Sequence, residues 1–336
     1  MTALATTHPT LREVATRLDP DGSIAKITEL LEQTNEVLLS MSWEEGNLPT
    51  GHRTTIRTGL PAPTWRKLYG GVQPARSTTA QVTDTTGMLE AYAEVDKALA
   101  DLNGNTAEFR LSEDRAFLEG MNQEMARTLF YGNEGTQPEA FTGFAPRFNT
   151  RVGAGNAENI ISMPSPAGTD NTSVWLVVWG SNTVHGIYPK GSSAGLSVDD
   201  KGQVTVENTD GNGGRMEAYR THYKWNCGLT VRDWRFVVRV ANIRTSTLTH
   251  NAAAGADIIN LMTQALEMVP NLGMGRPAFY CNRLVRSFLR QQTVARVAAS
   301  TLSMEMVAGK RVLTFGEVPV YRTDAILSTE AVVPLV

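Results

Sequence analysis

The residue patterns that usually accompany catalysis are incomplete in this 336-residue chain. Glycine clusters at 153–155, 211–214 and 273–277 lack the GxxxxGKS/T spacing of a phosphate-binding loop, and none forms a GxGxxG that follows a strand and opens a helix. The histidines nowhere show the paired spacing of a metal site: His8, His52, His185, His222 and His250. These patterns favour flexible loops and predict no catalytic residue, cofactor or metal. A triad assembled from distant residues stays open.

Composition excludes several classes of protein. The formal charge of -3 and the pI of about 6.0 lack the basic excess of a free-standing DNA binder. The longest apolar run, Val174 to Trp179, is too short to cross a membrane. Cys227 and Cys281 are 54 positions apart, which is typical of reduced core cysteines in a protein made in a cytoplasm. The loop residues Asp199, Asp200, Asn208 and Asp210 could line a calcium site, but they miss the EF-hand spacing, so a solvated loop is favoured.

One charge pattern stands out. Residues 47–83 contain five cations and no acid, whereas residues 84–119 contain nine acids and three cations. Three interpretations stay open: two solvated surfaces, an arm that contacts DNA, or a basic arm that lies on the acidic face of a neighbouring subunit. The third interpretation names as inter-subunit contact candidates Arg53, Arg57, Arg66, Lys67, Arg76, Glu90, Glu94 and Asp101.

The elements that position these charges differ in regularity. Ser23 is a candidate helix cap, and the apolar spacing after it predicts a helix to about Ser40. Residues 41–86 show no helical period and many prolines and glycines, which indicates an extended hairpin. Ser112 is then expected to cap a long helix that ends at Gly132. Its expected core stripe recurs every four residues: Phe117, Met121, Met125 and Leu129.

The second half of the chain is richer in strands. Residues 172–188 indicate a strand pair around a turn, 189–214 an exposed insertion, and 216–243 the strongest β region, broken at Cys227-Gly228. A helix is expected over 253–269, followed by a strand at 278–281 and a helix capped by Asn282. Two short strands, at 312–315 and 318–322, close the chain. Because strands and helices do not alternate, the pattern predicts an α+β fold and not a doubly wound sheet.

This order of elements resembles the Hong Kong 97-type fold of the major capsid proteins of tailed bacteriophages, in particular the members from short-tailed phages. Four stretches carry the likeness: LFYGNEGTQPEAFTGF (129–144), WNCGLTVRDWRFVVRVANI (225–243), AFYCNRLVRSFLRQQ (278–292) and LTFGEVPVYRTDAI (313–326). They resemble, in turn, the end of the spine helix, the long strands of the peripheral domain, the strand and helix of the axial domain, and the C-terminal strand pair.

The resemblance implies a domain plan. It comprises an N-terminal arm (1–40), an extended hairpin (41–86), a peripheral domain with the spine helix (87–135 and 215–250) and an axial domain (136–214 and 251–336) with an exposed insertion near 189–214. The short segment before the hairpin leaves no room for a fused scaffolding domain, so a separate scaffolding protein is implied. Some relatives crosslink a hairpin lysine, and Lys67 is the single lysine of this hairpin.

The resemblance also implies a function. Such a chain is a structural protein and not an enzyme, and it self-assembles into hexamers and pentamers of an icosahedral head that encloses double-stranded DNA. Expected partners are further copies of itself, a scaffolding protein, a portal protein, a decoration protein and non-specifically packaged DNA, with no membrane. The expected location is the virion, after assembly in the cytoplasm of a bacterial host. Two alternatives stay open: an encapsulin-like cargo compartment and a soluble enzyme with no recognisable motif.

Overall fold

The computed structural model describes residues 33–101, 106–153, 155–163, 168–207, 214–248, 257–295, 302–307 and 310–334. The strands in these ranges are β1 (Trp43–Glu45), β2 (Gly51–Gly59), β3 (Thr78–Asp96), β4 (Ile160–Ser162), β5 (Asn171–Trp179), β6 (Val184–Tyr188), β7 (Leu196–Glu207), β8 (Arg215–Val231), β9 (Val237–Arg244), β10 (Arg276–Cys281), β11 (Leu302–Val307), β12 (Lys310–Phe315) and β13 (Val318–Arg322). The α-helices are α1 (Val37–Ser40), α2 (Lys97–Ala100), α3 (Thr106–Tyr131), α4 (Phe144–Arg147), α5 (Ile258–Met268) and α6 (Arg283–Ala295). The expected α+β class is confirmed.

Strand β5 is the centre of the largest core. All nine of its residues are buried, and it lies between β9 and β10, both antiparallel to it. The run Val-Trp-Leu-Val-Val-Trp is apolar at every position because both faces of this strand are covered. On one face, Trp175 and Trp179 pack with rings from the end of α3 and from α4 and the residue after it: Phe130, Phe144 and Phe148.

The described chain divides into two compact units. The first comprises Gln33, residues 88–125 and residues 195–226, and the second comprises 34–87, 126–194 and 227–334. The first unit contains two small apolar clusters, one of Ala93, Met121 and Tyr223 and another of Val95, Ala100 and Phe109. The second contains the large core around β5.

Helix α3 begins earlier than its sequence suggests. It starts at Thr106, so the expected cap Ser112 lies inside the helix, and that prediction was wrong. Its C-terminal end agrees with the sequence, because a Cβ at Gly132 would lie only 2.4 Å from the carbonyl oxygen of Phe141. Along its length Met121, Met125 and Leu129 are buried, and Phe117 is half-buried against the cluster of Ala93 and Tyr223.

Three strand predictions need correction. The strands β5 and β6 meet only at a parallel bridge between Trp179 and Val184, and so do not form a hairpin. The expected insertion at 189–214 contains β7, which pairs with β8 as a long hairpin. The alternating valines of β7 predict a strand, but the glycines and acids among them obscured that pattern. Strand β8 continues through Cys227-Gly228 without a break. Position 228 requires glycine because a Cβ there would lie only 2.5 Å from the carbonyl oxygen of Thr85. The break comes instead at a short turn over Trp234–Phe236, capped by the Asp233 side chain.

The remaining predictions fare better where the structure describes them. Asn282 caps α6 through Oδ1, which accepts from the amide of Val285 at 2.9 Å. Strands β12 and β13 form the expected C-terminal hairpin, although β11, which pairs with β12, had no clear sequence signal. The helix expected at 24–40 is described only from residue 33: residues 33–36 are not helical, which differs from the expectation, and α1 covers only Val37–Ser40. The helix expected at 253–269 is present as α5, and residues 253–256 lie outside the described residues.

A buried ion pair holds the C-terminal segment on the sheet. Arg239 Nη2 lies 2.8 Å from Glu330 Oε2, and both side chains are almost fully buried. The Glu330 carboxylate also accepts from Tyr131 and Ser173, so its oxygens are satisfied. Burial, followed by the charge of Glu330, raises the pKa of Tyr131 far above its usual value, which keeps this hydroxyl a donor. The pair therefore links the end of α3 to β9 and to the C-terminal residues.

The buried stripe of α3 gives a direct test of the core. Leu129→Ala should lower the free energy of unfolding of the isolated subunit by about 2–5 kcal/mol, because Leu129 is 1% exposed and its loss leaves a cavity. Leu111→Ala, on the same helix but 54% exposed, should change it by less than about 1 kcal/mol. Chemical denaturation measures both; equal losses would contradict the burial described for α3.

Candidate functional site

The hairpin of β2 and β3 contains the longest exposed stretch among the described residues of the second unit. The two strands pair from Gly51 opposite Thr85 to Gly59 opposite Thr78. Between them residues 60–77, here called the hairpin tip, contain no strand and are exposed almost throughout. Trp65 is 103% exposed and Tyr69 97%, and three further apolar side chains are largely exposed: Leu60, Leu68 and Val72. Aromatic and aliphatic groups at this density are normally covered in a working protein.

A turn gives the hairpin tip a defined shape. The amide of Gly70 donates to the carbonyl of Lys67 at 3.0 Å, and Tyr69 takes φ 65, in the left-handed region. A tyrosine in that region is strained by about 1–3 kcal/mol, and such strain is concentrated at functional positions. The turn presents Trp65 and Tyr69 as separate anchors.

The cations of the hairpin have few partners. Arg53 donates to Thr83 Oγ1 at 3.2 Å, across the strand pair. Arg57, Arg66, Lys67 and Arg76 are exposed and form no ion pair within the part of the chain that the structure describes. Because their charges are not neutralised there, this surface is suited to an acidic partner.

The three acidic candidates, in contrast, are engaged within their own chain. Glu90 lies 3.0 Å from His222 Nε2 and 3.2 Å from Lys224 Nζ, and Glu94 lies 2.5 Å from Arg220 Nε. Asp101 accepts from Lys97 at 2.5 Å and from Thr106 at 2.8 Å. These partners lower the pKa values of Glu90 and Asp101, chiefly through the hydrogen bonds from His222 and Lys97 respectively.

An alternation of basic residues along β8 in the sequence could have revealed the pairing of Glu90 and Glu94 with that strand. Arg220, His222 and Lys224 alternate along β8, so they project from one face of the strand. Glu90 and Glu94 lie on β3, the neighbouring strand, and opposite charges on facing strands attract. The acidic run at 84–119 is therefore partly a cross-strand pattern of the first unit.

The base of the hairpin is fixed by a buried ion pair. Asp84, on β3, is 4% exposed in its side chain and lies 2.8 Å from Arg147 Nη1. The Nη2 atom of Arg147 also donates to the carbonyls of Leu229 and Thr142, each at 3.2 Å. One guanidinium thus joins β3, β8 and the loop before α4, and removing it would leave a buried carboxylate without its charge partner.

Two histidines lie beside this base. His185, on β6, is fully buried, and its ring centre is 5.8 Å from that of His52 on β2. Glu44 Oε2 lies 3.6 Å from His185 Nε2, and Arg232 and Asp84 are the other charged groups that act on the pair. Burial is the largest influence on both, and it lowers the pKa of each histidine below its usual value despite the raising effect of Glu44.

The described residues contain neither a metal-binding cluster nor a reactive thiol. No group of three or more histidine, cysteine or acidic side chains among them could hold a metal ion. The sequence GSSAG at 191–195 has the spelling GxSxG, but a strand follows it and not the helix of a nucleophile elbow. Burial raises the pKa of Cys281 to about 12 and that of Cys227 further, so neither thiol is reactive. None of the described helices is long and apolar enough to span a membrane.

An apolar groove of about 400 Å³ opens on the first unit. It lies between residues 89–91 of β3 and residues 116–124 of α3. Its lining is mostly apolar and includes two glutamates; the lining residues are Leu89, Glu90, Ala91, Ala116, Phe117, Gly120, Met121 and Glu124. A groove of this size accommodates a large aromatic side chain.

Comparison with known proteins points to one family. A family model described as major capsid protein GP7 matches residues 19–334. A chain of the cryo-EM structure of bacteriophage Epsilon15 is 38% identical, with a TM-score of 0.78 and 99% of each chain covered. No curated protein sequence matches.

Two other solved structures are more distant. The capsid of bacteriophage JBD30 is 9% identical over 96% of each chain, with a TM-score of 0.48. The SrpI encapsulin of Synechococcus elongatus is 13% identical over 70% of this chain and 97% of its own, with a TM-score of 0.41. Neither likeness carries an argument about function.

The histidine pair predicts a pH dependence of stability. Since both folded pKa values lie below the usual value of 6.5, the unfolded chain takes up protons first as the pH falls. The free energy of unfolding of the isolated subunit should therefore decrease from pH 7 as the pH passes below about 6.5. His185→Gln should remove part of that decrease, and His222→Gln, beside Glu90, serves as the control. An unchanged slope in His185→Gln would exclude His185 as its source.

Proposed function

The chain belongs to the GP7 family of major capsid proteins, and from this we propose that its hairpin tip joins copies of the chain into the hexamers and pentamers of a closed phage head. It is the major capsid protein of a tailed phage, a structural component of the virion and not an enzyme. Its fold is the expected capsid fold of the Hong Kong 97 type. The family match decides against the encapsulin-like and enzyme alternatives.

The observation that carries the proposal is the exposure of the hairpin tip. Trp65, Leu68 and Tyr69 bury almost nothing within their own chain, and three cations, Arg66, Lys67 and Arg76, accompany them without an acid in 60–77. Aromatic residues and arginine are the side chains that contribute most at protein interfaces. Burial of the tip by another copy would be repeated at every contact of a closed shell, so a modest gain per contact suffices.

The partner for these cations is an acidic surface of the neighbouring subunit. Glu90, Glu94 and Asp101 already have partners in their own chain, so their role in an inter-subunit contact would be to share charge in a network and not to form isolated pairs. The proposed contact therefore includes all eight charged residues that the sequence analysis named, five cations of the hairpin and three acids. Contact with packaged DNA is the competing role for the cations.

The two units suggest how the domain plan applies here. We assign the first unit to the peripheral domain; it includes β7, which the sequence analysis placed with the axial domain, together with β8 up to residue 226. The second unit then supplies the hairpin and the axial domain. The arm at 1–40 is described only from residue 33, where the amide of Gln33 donates to Glu119 Oε1 at 2.9 Å.

The finer partners also belong to this proposal. A separate scaffolding protein, a portal protein, a decoration protein and packaged double-stranded DNA are the expected partners, and assembly takes place in the host cytoplasm. The formal charge of -3 supports a shell that does not bind every phosphate it encloses.

Deleting the hairpin tip tests the role of the tip in assembly. Because Gly59 and Thr78 face each other in the ladder, residues 60–77 can be replaced by Asn-Gly, a pair suited to a tight hairpin turn. The shortened subunit should fold with its usual circular dichroism and remain soluble, but it should form no closed shells in electron micrographs. Normal shells from this variant would remove the tip from the assembly contact.

Charge reversal separates the two roles of the cations. Arg57→Glu with Arg66→Glu should reduce the rate of shell assembly, with the largest defect at low ionic strength, where opposite charges steer association most strongly. Arg57→Lys with Arg66→Lys keeps the charges and should assemble close to normally. Light scattering follows the rate. If the reversed variant forms shells at the normal rate and fails only when DNA is packaged, the cations contact DNA instead.

A further inference from the structure

We propose that the groove between β3 and α3 receives the Trp65 side chain of a second copy of the chain. This inference rests on the proposed function, since it requires that the hairpin tip contacts another subunit. It adds the place of contact, which is defined by residues 89–91 and 116–124.

Gly120 is the first observation that points to an occupant. It lies in the middle of a 26-residue helix, where glycine is less favourable than alanine. Nothing in the described part of the chain explains the choice, because a Cβ built at Gly120 meets no atom within 4 Å there. A glycine that lines an open groove leaves space for a large side chain from outside to approach the helix backbone.

The edge of β3 is the second observation. Among the described strands β3 pairs only with β2 and β8, and its pairing with β2 ends at Thr85. Beyond Thr85, one edge of β3 therefore has no strand partner in the described chain. Met88 and Tyr92, which flank the groove-lining segment of β3, are exposed by 69% and 50%. Their side chains alternate with those of Leu89 and Ala91, so both faces of β3 beside the open edge are partly exposed in the described chain.

Charge complementarity identifies the hairpin tip as the occupant. Residues 106–124 of α3 contain five acids and two arginines, whereas residues 60–77 contain three cations and no acid. Glu124 lines the groove and would face Arg66 and Lys67, the two residues that follow Trp65, whereas the Glu90 carboxylate is engaged by His222 and Lys224 of its own chain. An aromatic anchor in an apolar pocket with opposite charges around it is the usual composition of an interface hot spot.

Crosslinking tests the contact in assembled protein. Thr64→Cys, beside an intact Trp65, is made in one chain, and Ala116→Cys, in the groove, is made in a second chain that carries a tag. The mixture is assembled and treated with a short bismaleimide. We expect a mixed covalent dimer of the two chains, with little background because Cys227 and Cys281 are buried. Leu118→Cys, exposed on the opposite face of α3, replaces Ala116→Cys as the control and should give little mixed dimer.

Filling the groove gives an independent readout. Gly120→Leu should leave the helix at least as stable but slow assembly at least about tenfold, since losing an anchor of this kind usually costs more than one power of ten in affinity. Gly120→Ala adds one methyl group and should assemble close to normally. Trp65→Ala should resemble Gly120→Leu.

The outcomes distinguish the groove from the wider proposal. Shells that form normally with Gly120→Leu, or that crosslink equally at positions 116 and 118, would overturn the groove assignment while leaving assembly through the hairpin intact. In that case the groove receives another occupant, such as the N-terminal segment. Loss of shells on deleting the tip together with mixed dimers at position 116 supports both.

Discussion

The ion pair of Asp84 and Arg147 determines where the hairpin projects from the core of the second unit. It is buried, and the same guanidinium binds the carbonyls of Leu229 and Thr142, so three segments meet at one charge. Gly228 admits the carbonyl of Thr85 at the same level of the sheet. A hairpin that is rigid at its base can present its tip in a fixed direction, which lowers the entropy cost of binding a neighbour.

The tip itself follows a different rule. The apolar side chains of residues 60–77 are not buried within their own chain. Exposed apolar groups of this kind are normally covered by another surface. Acids and bases are distributed accordingly: those of β3 and β8 pair across the first unit, whereas Arg57, Arg66, Lys67 and Arg76 of the hairpin form no ion pair within the described chain. The subunit is thus complete in its cores and incomplete at its hairpin, as expected of a protein whose function is to associate with copies of itself.

The sequence predicts the elements better than their pairing. The hairpin, the C-terminal end of α3 and the cap at Asn282 depend on local chemistry, which glycine, proline and cap residues make visible. The strand partners of β5, the hairpin of β7 and β8, and the start of α3 depend on contacts between distant residues. Gly228 shows the difference, because its place in the chain suggested a break in a strand, and only the approach of Thr85 reveals a continuous one. The same holds for Glu90 and Glu94, whose partners are more than a hundred residues away.

A cryo-EM reconstruction of the assembled shell tests the central claim most directly. The quantity to measure is the exposed fraction of Trp65, which is 103% in the single chain. The account predicts that Trp65 is buried in the shell by atoms of a different subunit, with acids of that subunit around Arg66 and Lys67. A Trp65 that stays exposed to solvent, or that faces the interior space of the head, would contradict it.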